Sequence, residues 1–328
     1  MPKTTTVQVD PAISTFYDKV LLVRALPELC HNLFGQNRPL PTGSGDTIKF
    51  RRYNSLNPAT APLTEGITPA AVQLSKTDLT STIKQYGNLV QITDMVEWTN
   101  QDKVLTEAAT LLGENAGQSL DIIYRETLVA GTQVRYGTGV ANRLAVNNKI
   151  ANTDMNIVIR ALENANAKHF TKMIQPMNKY ASSPIRAAYW GIIHPDVHYD
   201  IQSITGWTPV HEYASQQETY PNEVGAYKNI RFIMSTYAKV FADSGAAVGG
   251  GWKSTGGVTN DVYITLIFAK NAYGICPLSG HALENIRKPR GSGTDYLDQY
   301  STSGWKAATT IKILDDSFMY RIETTATA

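Results

Sequence analysis

Two histidines one helical turn apart are the residues of this sequence that most resemble a metal-binding or catalytic group. His194 and His198 stand at i and i+4 in "HPDVHYD", with Asp196 and Asp200 nearby. Imidazoles at this spacing can share a metal ion, as in the zinc-protease pattern HExxH. Here Pro195 follows His194, which places that histidine at a helix start, and no glutamate follows it to act as a general base. We expect a capping histidine and a solvent-facing histidine, and keep a metal-dependent hydrolase as an alternative.

The glycine-rich stretch "GGGWKSTGG" at 249–257 resembles a phosphate-binding loop at first sight. Such a loop needs glycine directly before lysine, so that backbone amides surround the phosphate while the lysine reaches it. Trp252 separates the glycines from Lys253, and no strand-loop-helix pattern surrounds them. We therefore interpret the stretch as a surface loop.

The remaining reactive side chains form no recognisable group. Cys30 and Cys276 are far apart, without a CxxC motif or a neighbouring histidine cluster, which favours a reducing compartment with neither disulfides nor structural zinc. The basic group of Arg287, Lys288 and Arg290 is more typical of a solvated loop than of a phosphate site. No GxSxG motif is present. The sequence predicts no catalytic site, no cofactor and no metal.

Composition describes an ordered protein with little bulk charge. The 328 residues are 42% hydrophobic and 18% charged, with a formal net charge of +2. This charge gives no general attraction to nucleic acid or to acidic membranes. The 17 tyrosines favour broad protein contact surfaces. No apolar run is long enough for a signal peptide or a membrane span, so we expect folding in a cytoplasm.

The elements that would position any site begin with an unusual hairpin. The stretch "TIKFRRYNSLNPATAPLTEGITP" starts as a strand, with Ile48 and Phe50 on one face, and then enters a segment with three prolines. The return stretch, about 72–86, is nearly polar on both faces. A half-buried strand alternates apolar and polar residues, and an isolated hairpin is marginal in water. The sequence predicts a projecting hairpin without a buried face of its own.

The rest of the chain predicts a mixed α+β fold. A stripe of apolar residues at helical spacing indicates a long helix over about 104–130. A second helix is predicted over about 155–169. Residues before 45 read as an arm with short helical pieces, including apolar residues from Phe16 to Leu29. Buried strands follow in "IRAAYWGIIH", "NIRFIMST" and "VYITLIFAK", and two closing strands are joined through Asp315 and Asp316.

Several stretches in this order resemble the major capsid protein family of tailed bacteriophages, in the branch typified by the podovirus coliphage N-four. They are the hairpin sequence above, "KQYGNLVQITD", "WGIIHPDVHYDI", "YPNEVGAYKNIRF" and "GTDYLDQYSTSGWKAATTIKILDD". The resemblance runs over nearly the whole chain and implies the Hong Kong 97-type capsid fold. It implies an N-terminal arm at 1–45, an extended β-hairpin loop at 46–90, a peripheral domain with the long spine helix at 91–184, a mainly axial domain at 185–304, and C-terminal strands returning to the peripheral domain at 305–328.

The function that the resemblance implies is assembly. Such a protein forms hexamers and pentamers of itself, which close an icosahedral shell around double-stranded DNA without sequence-specific binding. Portal and decoration proteins are the further partners that the resemblance implies, with either a separate scaffolding protein or assembly without one, and the shell forms in the bacterial host cytoplasm. An encapsulin-like shell around a cargo enzyme is the alternative.

We expect the hairpin to contact a neighbouring subunit. Its isolated apolar residues have no partners in their own segment, and its charged residues could form salt bridges between subunits. The intersubunit contact candidates are Arg51, Arg52, Leu56, Leu63, Glu65 and Ile67.

Overall fold

The structure is a computed structural model that describes residues 30–63, 65–99, 104–170, 187–213, 219–249, 251–291 and 296–328, with the backbone alone at 99 and 104–107. The apolar pattern predicted for the arm, from Phe16 to Leu29, lies outside the described residues. The same holds for 171–184, the end of the predicted peripheral domain.

The described elements comprise four helices and fifteen strands. The helices are α1 (Asp94–Thr99), α2 (Val104–Val129), α3 (Asn152–Asn164) and α4 (Pro195–Gln202). The strands are β1 (Gln36–Asn37), β2 (Thr47–Tyr53), β3 (Lys76–Thr82), β4 (Lys84–Thr93), β5 (Val134–Tyr136), β6 (Tyr189–Ile193), β7 (Trp207–Pro209), β8 (Glu223–Tyr227), β9 (Ile230–Met234), β10 (Val240–Phe241), β11 (Val262–Phe268), β12 (Tyr273–Pro277), β13 (Glu284–Lys288), β14 (Tyr300–Ile313) and β15 (Met319–Thr324).

The long helix predicted over 104–130 is confirmed by α2, which at 1.5 Å per residue is about 40 Å long. Its apolar stripe packs on a five-stranded sheet in which β14 pairs antiparallel with β4, β12 and β13, and β1 adds to β12. Leu120 and Tyr124 share a core cluster with Trp305 and Ala307 of β14. The Tyr124 hydroxyl also lies 3.0 Å from the hydroxyl of Thr309. Helix and sheet therefore form one layered unit.

A second layer is built on an eight-stranded sheet of order β5-β15-β11-β6-β9-β8-β7, with β10 on β11. Its central strands β6 and β11 are buried along their whole length, because both faces of the sheet are covered. Trp190 and Ile192 join the core beneath α2, whereas Tyr189 and Ile193 join the core beneath α3 and α4. The fold is mixed α+β, as predicted.

The two closing strands that Asp315 and Asp316 join lie in different sheets. β14 lies in the five-stranded sheet, whereas β15 lies between β5 and β11 in the eight-stranded sheet. A short 3₁₀ turn at Asp316–Phe318 separates them, and the Asp315 side chain caps it by accepting from the Ser317 amide at 3.1 Å. Alternation in sequence reveals which residues share a face, but it does not identify the partner strand. The strands within 305–328 therefore lie in two different sheets.

The two layers also interleave along the chain instead of following contiguous ranges. β5 and α3, within the predicted range 91–184, belong with the eight-stranded sheet. β12 and β13, within 185–304, belong to the five-stranded sheet. Residues 84–90, predicted as hairpin, lie in β4 on β14. In the described part of the chain, no helix combines the length and apolar character needed to cross a membrane.

Candidate intersubunit surface

The predicted hairpin is present, and its strand pair is well defined. β2 and β3 pair antiparallel from Thr47 opposite Thr82 to Tyr53 opposite Lys76. Across the ladder, Arg51 Nε donates to Asp78 Oδ1 at 2.9 Å. This contact raises the pKa of the Arg51 guanidinium and lowers that of the Asp78 carboxyl. The strand pair therefore carries residues 54–75 away from the place where the hairpin joins the fold.

The base of the hairpin has a buried face, which corrects the prediction that it has none. Phe50 is 7% exposed, and its ring edge lies so close to Gly274 that a Cβ there would be 2.8 Å away. The cluster around it also contains Leu40, Ile48, Leu79, Ile83, Cys276, Leu278 and Leu314. The alternation of Ile48 and Phe50 was the sequence signal for this face, and its partners come from β12 and the end of β14, far along the chain.

Polar contacts also fix the base to the body of the protein. Arg52 forms an ion pair with Asp315, and the hydroxyls of Ser81 and Thr310 lie 2.8 Å apart. Burial alone would raise the pKa of Asp315, but hydrogen bonds from Ser317 and the pair with Arg52 hold it below its usual range. The base is thus anchored by both apolar and charged contacts.

The tip of the hairpin, residues 54–75, is exposed where the base is buried. Among residues 54–75, every residue that the structure describes is exposed. The apolar candidates Leu56, Leu63 and Ile67 are 52%, 77% and 67% exposed. Val72 and Leu74, which the sequence reasoning did not single out, are 69% and 66% exposed, although they show the same isolated apolar pattern. Scattered apolar side chains are ordinary on a surface, but five on one projecting segment provide apolar area that another molecule can cover.

The charged candidates differ in their surroundings. Arg51 and Arg52 already have partners within the chain, Asp78 and Asp315. Glu65 is exposed and has no ion pair among the described residues. It lies in a turn with Gly66, whose φ of +79° favours glycine. Salt bridges from these residues to another subunit stay a prediction.

His194 has the capping role that was predicted for it. His194 lies directly before Pro195 at the start of α4, and its Nδ1 accepts a hydrogen bond from the Asp196 backbone amide at 3.2 Å. His198 is half-buried, and its Nε2 lies 3.0 Å from the side-chain nitrogen Nε2 of Gln202. Burial lowers the pKa of both histidines. Within the described residues, no group of three or more His, Cys, Asp or Glu side chains is placed to hold a metal ion.

The glycine-rich loop binds carboxylates of its own chain. The Gly256 amide donates to Asp243 at 2.9 Å, and the Thr255 amide and hydroxyl donate to Asp261 at 3.1 and 2.9 Å. The backbone donors that would surround a phosphate are therefore occupied by two acidic side chains. These contacts fix the loop beside the end of β10 and the start of β11.

The two cysteines and Arg290 of the basic group lie in surroundings typical of residues with a structural role. Both Cys30 and Cys276 are buried and neither forms a disulfide, and burial raises the pKa of the Cys276 thiol. A buried thiol is a poor nucleophile because the thiolate is the reactive form. Arg290 pairs with Glu97 at 3.2 Å, and its guanidinium lies 5.3 Å from the centre of the Trp98 ring.

The fold is similar to that of several solved phage capsids. The capsid of Ralstonia phage GP4 superimposes with a TM-score of 0.62 at 14% identity, covering 91% of this chain and 89% of that chain. The capsid of cyanophage Pam1 gives 0.60 at 12% identity, covering 91% of each chain. The head of Helicobacter pylori bacteriophage KHP40 gives 0.59 at 12% identity, covering 88% and 87%. No curated protein matches the sequence. At these identities the similarity establishes the fold alone.

The sequence itself provides the assignment to a family. The model of a family described as phage capsid protein matches residues 76–322. This range is well over half of the chain and contains β3, α2 and most strands of both large sheets. The chain therefore belongs to the phage capsid protein family and is a structural protein of the virion.

Proposed function

We propose that this chain is a major capsid protein that assembles as hexamers and pentamers into an icosahedral shell around phage double-stranded DNA. The observation that carries the proposal is the contrast within the hairpin. Phe50 at the base is buried, whereas Leu63 and Ile67 at the tip are 77% and 67% exposed. A segment held firmly at one end and apolar at the other is suited to bury its tip on a second copy.

The two layers correspond to the domains of such a shell protein. We assign α2 and the five-stranded sheet to the peripheral domain, with α2 as the spine helix, and the eight-stranded sheet with α3 and α4 to the axial domain. This assignment follows spatial layers, because the chain passes between them more than once. The order of the sequence stretches supports the Hong Kong 97-type fold and the coliphage N-four-type branch.

The charge of the chain suits an enclosing wall. A formal net charge of +2 provides little of the salt-dependent attraction that tight binding to DNA phosphates needs. The DNA is then held inside by closure of the shell and not by specific contacts. A portal, a scaffolding protein and decoration proteins are the further partners of this role, and assembly takes place in the bacterial host cytoplasm.

Deletion of residues 54–71 tests the proposal. Tyr53 and Lys76 are paired, so the remaining residues 72–75 can close the strands with a short loop. We expect a folded subunit with unchanged thermal unfolding that no longer forms particles in sedimentation or negative-stain microscopy. A variant in which 54–71 is replaced by glycine and serine of equal length separates loss of reach from loss of apolar contacts.

Two results would contradict the proposal. If the deleted subunit unfolds, the tip belongs to an internal core of the subunit. If particles still form normally without the tip, the tip does not make the assembly contact. Particles from phage-infected cells that enclose a protein cargo and no DNA would favour the encapsulin-like alternative.

A further inference from the structure

A pocket of about 260 Å³ lies where the hairpin base meets the five-stranded sheet. Its apolar lining comes from Phe50 and Leu79 of the hairpin and from Leu314 after β14. Its charged lining residues are Arg38, Arg51, Arg52 and Asp315. A site that combines an apolar lining with several guanidinium groups fits a carboxylate flanked by apolar side chains.

The charge of this pocket is only partly neutralised. Arg51 is paired with Asp78, and Arg52 with Asp315. Arg38 is exposed and has no ion pair among the residues that the structure describes. A guanidinium can bind a carboxylate through two parallel N–H donors. Arg38 is therefore the cation available to an incoming acidic group.

The tip of the same hairpin carries the matching chemistry. Glu65 is the only charged residue in 54–75. The turn with Gly66 places it at an apex, with Leu63 before it and Ile67 after it. These two side chains are among the more exposed large apolar side chains of the described residues, so the tip does not occupy its own subunit's pocket. One acidic group between two apolar residues is complementary to the pocket.

We propose that the hairpin tip of one copy inserts into the hairpin-base pocket of a second copy. The Glu65 carboxylate pairs with the Arg38 guanidinium, while Leu63 and Ile67 cover the apolar lining around Phe50. This inference rests on the proposed function and specifies the contact through which it acts. Tip-to-base contact joins two different surfaces, so it repeats from copy to copy and closes when the rotation between copies permits a ring.

A second surface competes for the tip. A groove of about 480 Å³ runs over β4, β13 and β14. Its lining includes the apolar residues Leu89 and Ile286 and two lysines, Lys288 and Lys306. The pocket with three guanidinium groups matches the single carboxylate better, because arginine binds carboxylates in a fixed bidentate geometry and lysine does not. Docking in the groove is therefore an outcome that the experiment must separate.

Charge exchange in the full-length chain tests the pair. We expect Glu65→Arg and Arg38→Glu each to raise the subunit concentration needed for particle formation by about tenfold, since each places like charges opposite one another. The double variant restores the pair in reverse, so we expect its threshold to return to within about threefold of the wild type. Glu65→Arg combined with Lys288→Glu is the matched control, and we expect no recovery from it.

A cross-linking experiment covers the case in which a charge variant fails to fold. The variant Glu65→Cys/Arg38→Cys should give a ladder of cross-linked oligomers with a flexible bismaleimide, whose spacer bridges the separation of the two backbones that is too large for a disulfide, whereas either single cysteine should give no ladder. Absence of a ladder from assembled particles overturns the inference, as does recovery by Lys288→Glu. A defect in Arg38→Glu with normal assembly of Glu65→Arg also overturns it. In each of these results the wild-type chain still assembles, so the proposed function stands; a wild-type chain that never assembles contradicts both.

Discussion

Alanine substitution of the three apolar tip residues separates subunit stability from assembly. Leu56, Leu63 and Ile67 are 52%, 77% and 67% exposed in the subunit, so truncation removes little internal contact. We expect the free energy of unfolding of the triple variant to stay within about 0.5 kcal/mol of the wild type, as for ordinary surface substitutions. Assembly should change much more, because the same side chains become buried there.

The size of the assembly defect follows from the exposed area. Each change to alanine removes three carbons, at about 0.8 kcal/mol for each buried methylene group. About two-thirds of this apolar contact remains to be made on association, which gives roughly 1.5 kcal/mol per residue. The three together weaken each contact by about 4 to 5 kcal/mol, or roughly a thousandfold in its association constant.

Sedimentation velocity over a range of subunit concentrations measures this defect, and thermal unfolding of the subunit measures stability. Leu144→Ala with Val258→Ala is the matched control, since these side chains are 72% and 74% exposed but lie outside the hairpin. Assembly of the triple variant at the wild-type concentration would refute the reasoning. An equal defect in the control would show that exposure alone, and not the hairpin, determines the contact.

Three further predictions concern the stability of the subunit. Burial lowers the pKa of His194, so its contribution to stability is complete above about pH 6.5 and is lost as the pH falls. The variant His194→Asn keeps a cap, so its free energy of unfolding should fall less than that of the wild type between pH 7.5 and 5.5 in urea unfolding, with exposed His211→Asn as the control. Glu223→Gln breaks the ion pair with Arg231, whose side chains are 0–1% exposed, and should lower the free energy of unfolding by about 3 kcal/mol or more. A loss of stability below about 1 kcal/mol would contradict this. Gly87→Ala places a Cβ 2.7 Å from a backbone oxygen of β14 and should cost about 1 to 3 kcal/mol, whereas Gly249→Ala, with nothing within 4 Å, should be neutral.

The sequence predicts those parts of the fold whose signal is local. The stripe that includes Leu112, Ala116 and Leu120 repeats over many turns, so α2 was predicted within one residue of its observed end. His194 was predicted as a cap because the proline after it fixes the start of α4. The tip of the hairpin was predicted because prolines and isolated apolar residues exclude a local core.

Features that depend on distant partners could not be predicted in this way. Phe50 packs on Cys276 and Leu314, which lie more than two hundred positions away, so the buried face of the hairpin base was missed. The destination of β15 depends on pairing with β11 and β5, and alternation is the same for any partner. Arg38 was not a candidate, because its place in the pocket depends on how β1 adds to β12.

The most direct test of the account is a reconstruction by electron microscopy of the particle that the full-length chain forms. The account predicts a closed icosahedral shell of hexamers and pentamers in which residues 54–75 of each copy lie on an adjacent copy. A closed shell in which these residues point into solvent, or fold back on their own subunit, would contradict it.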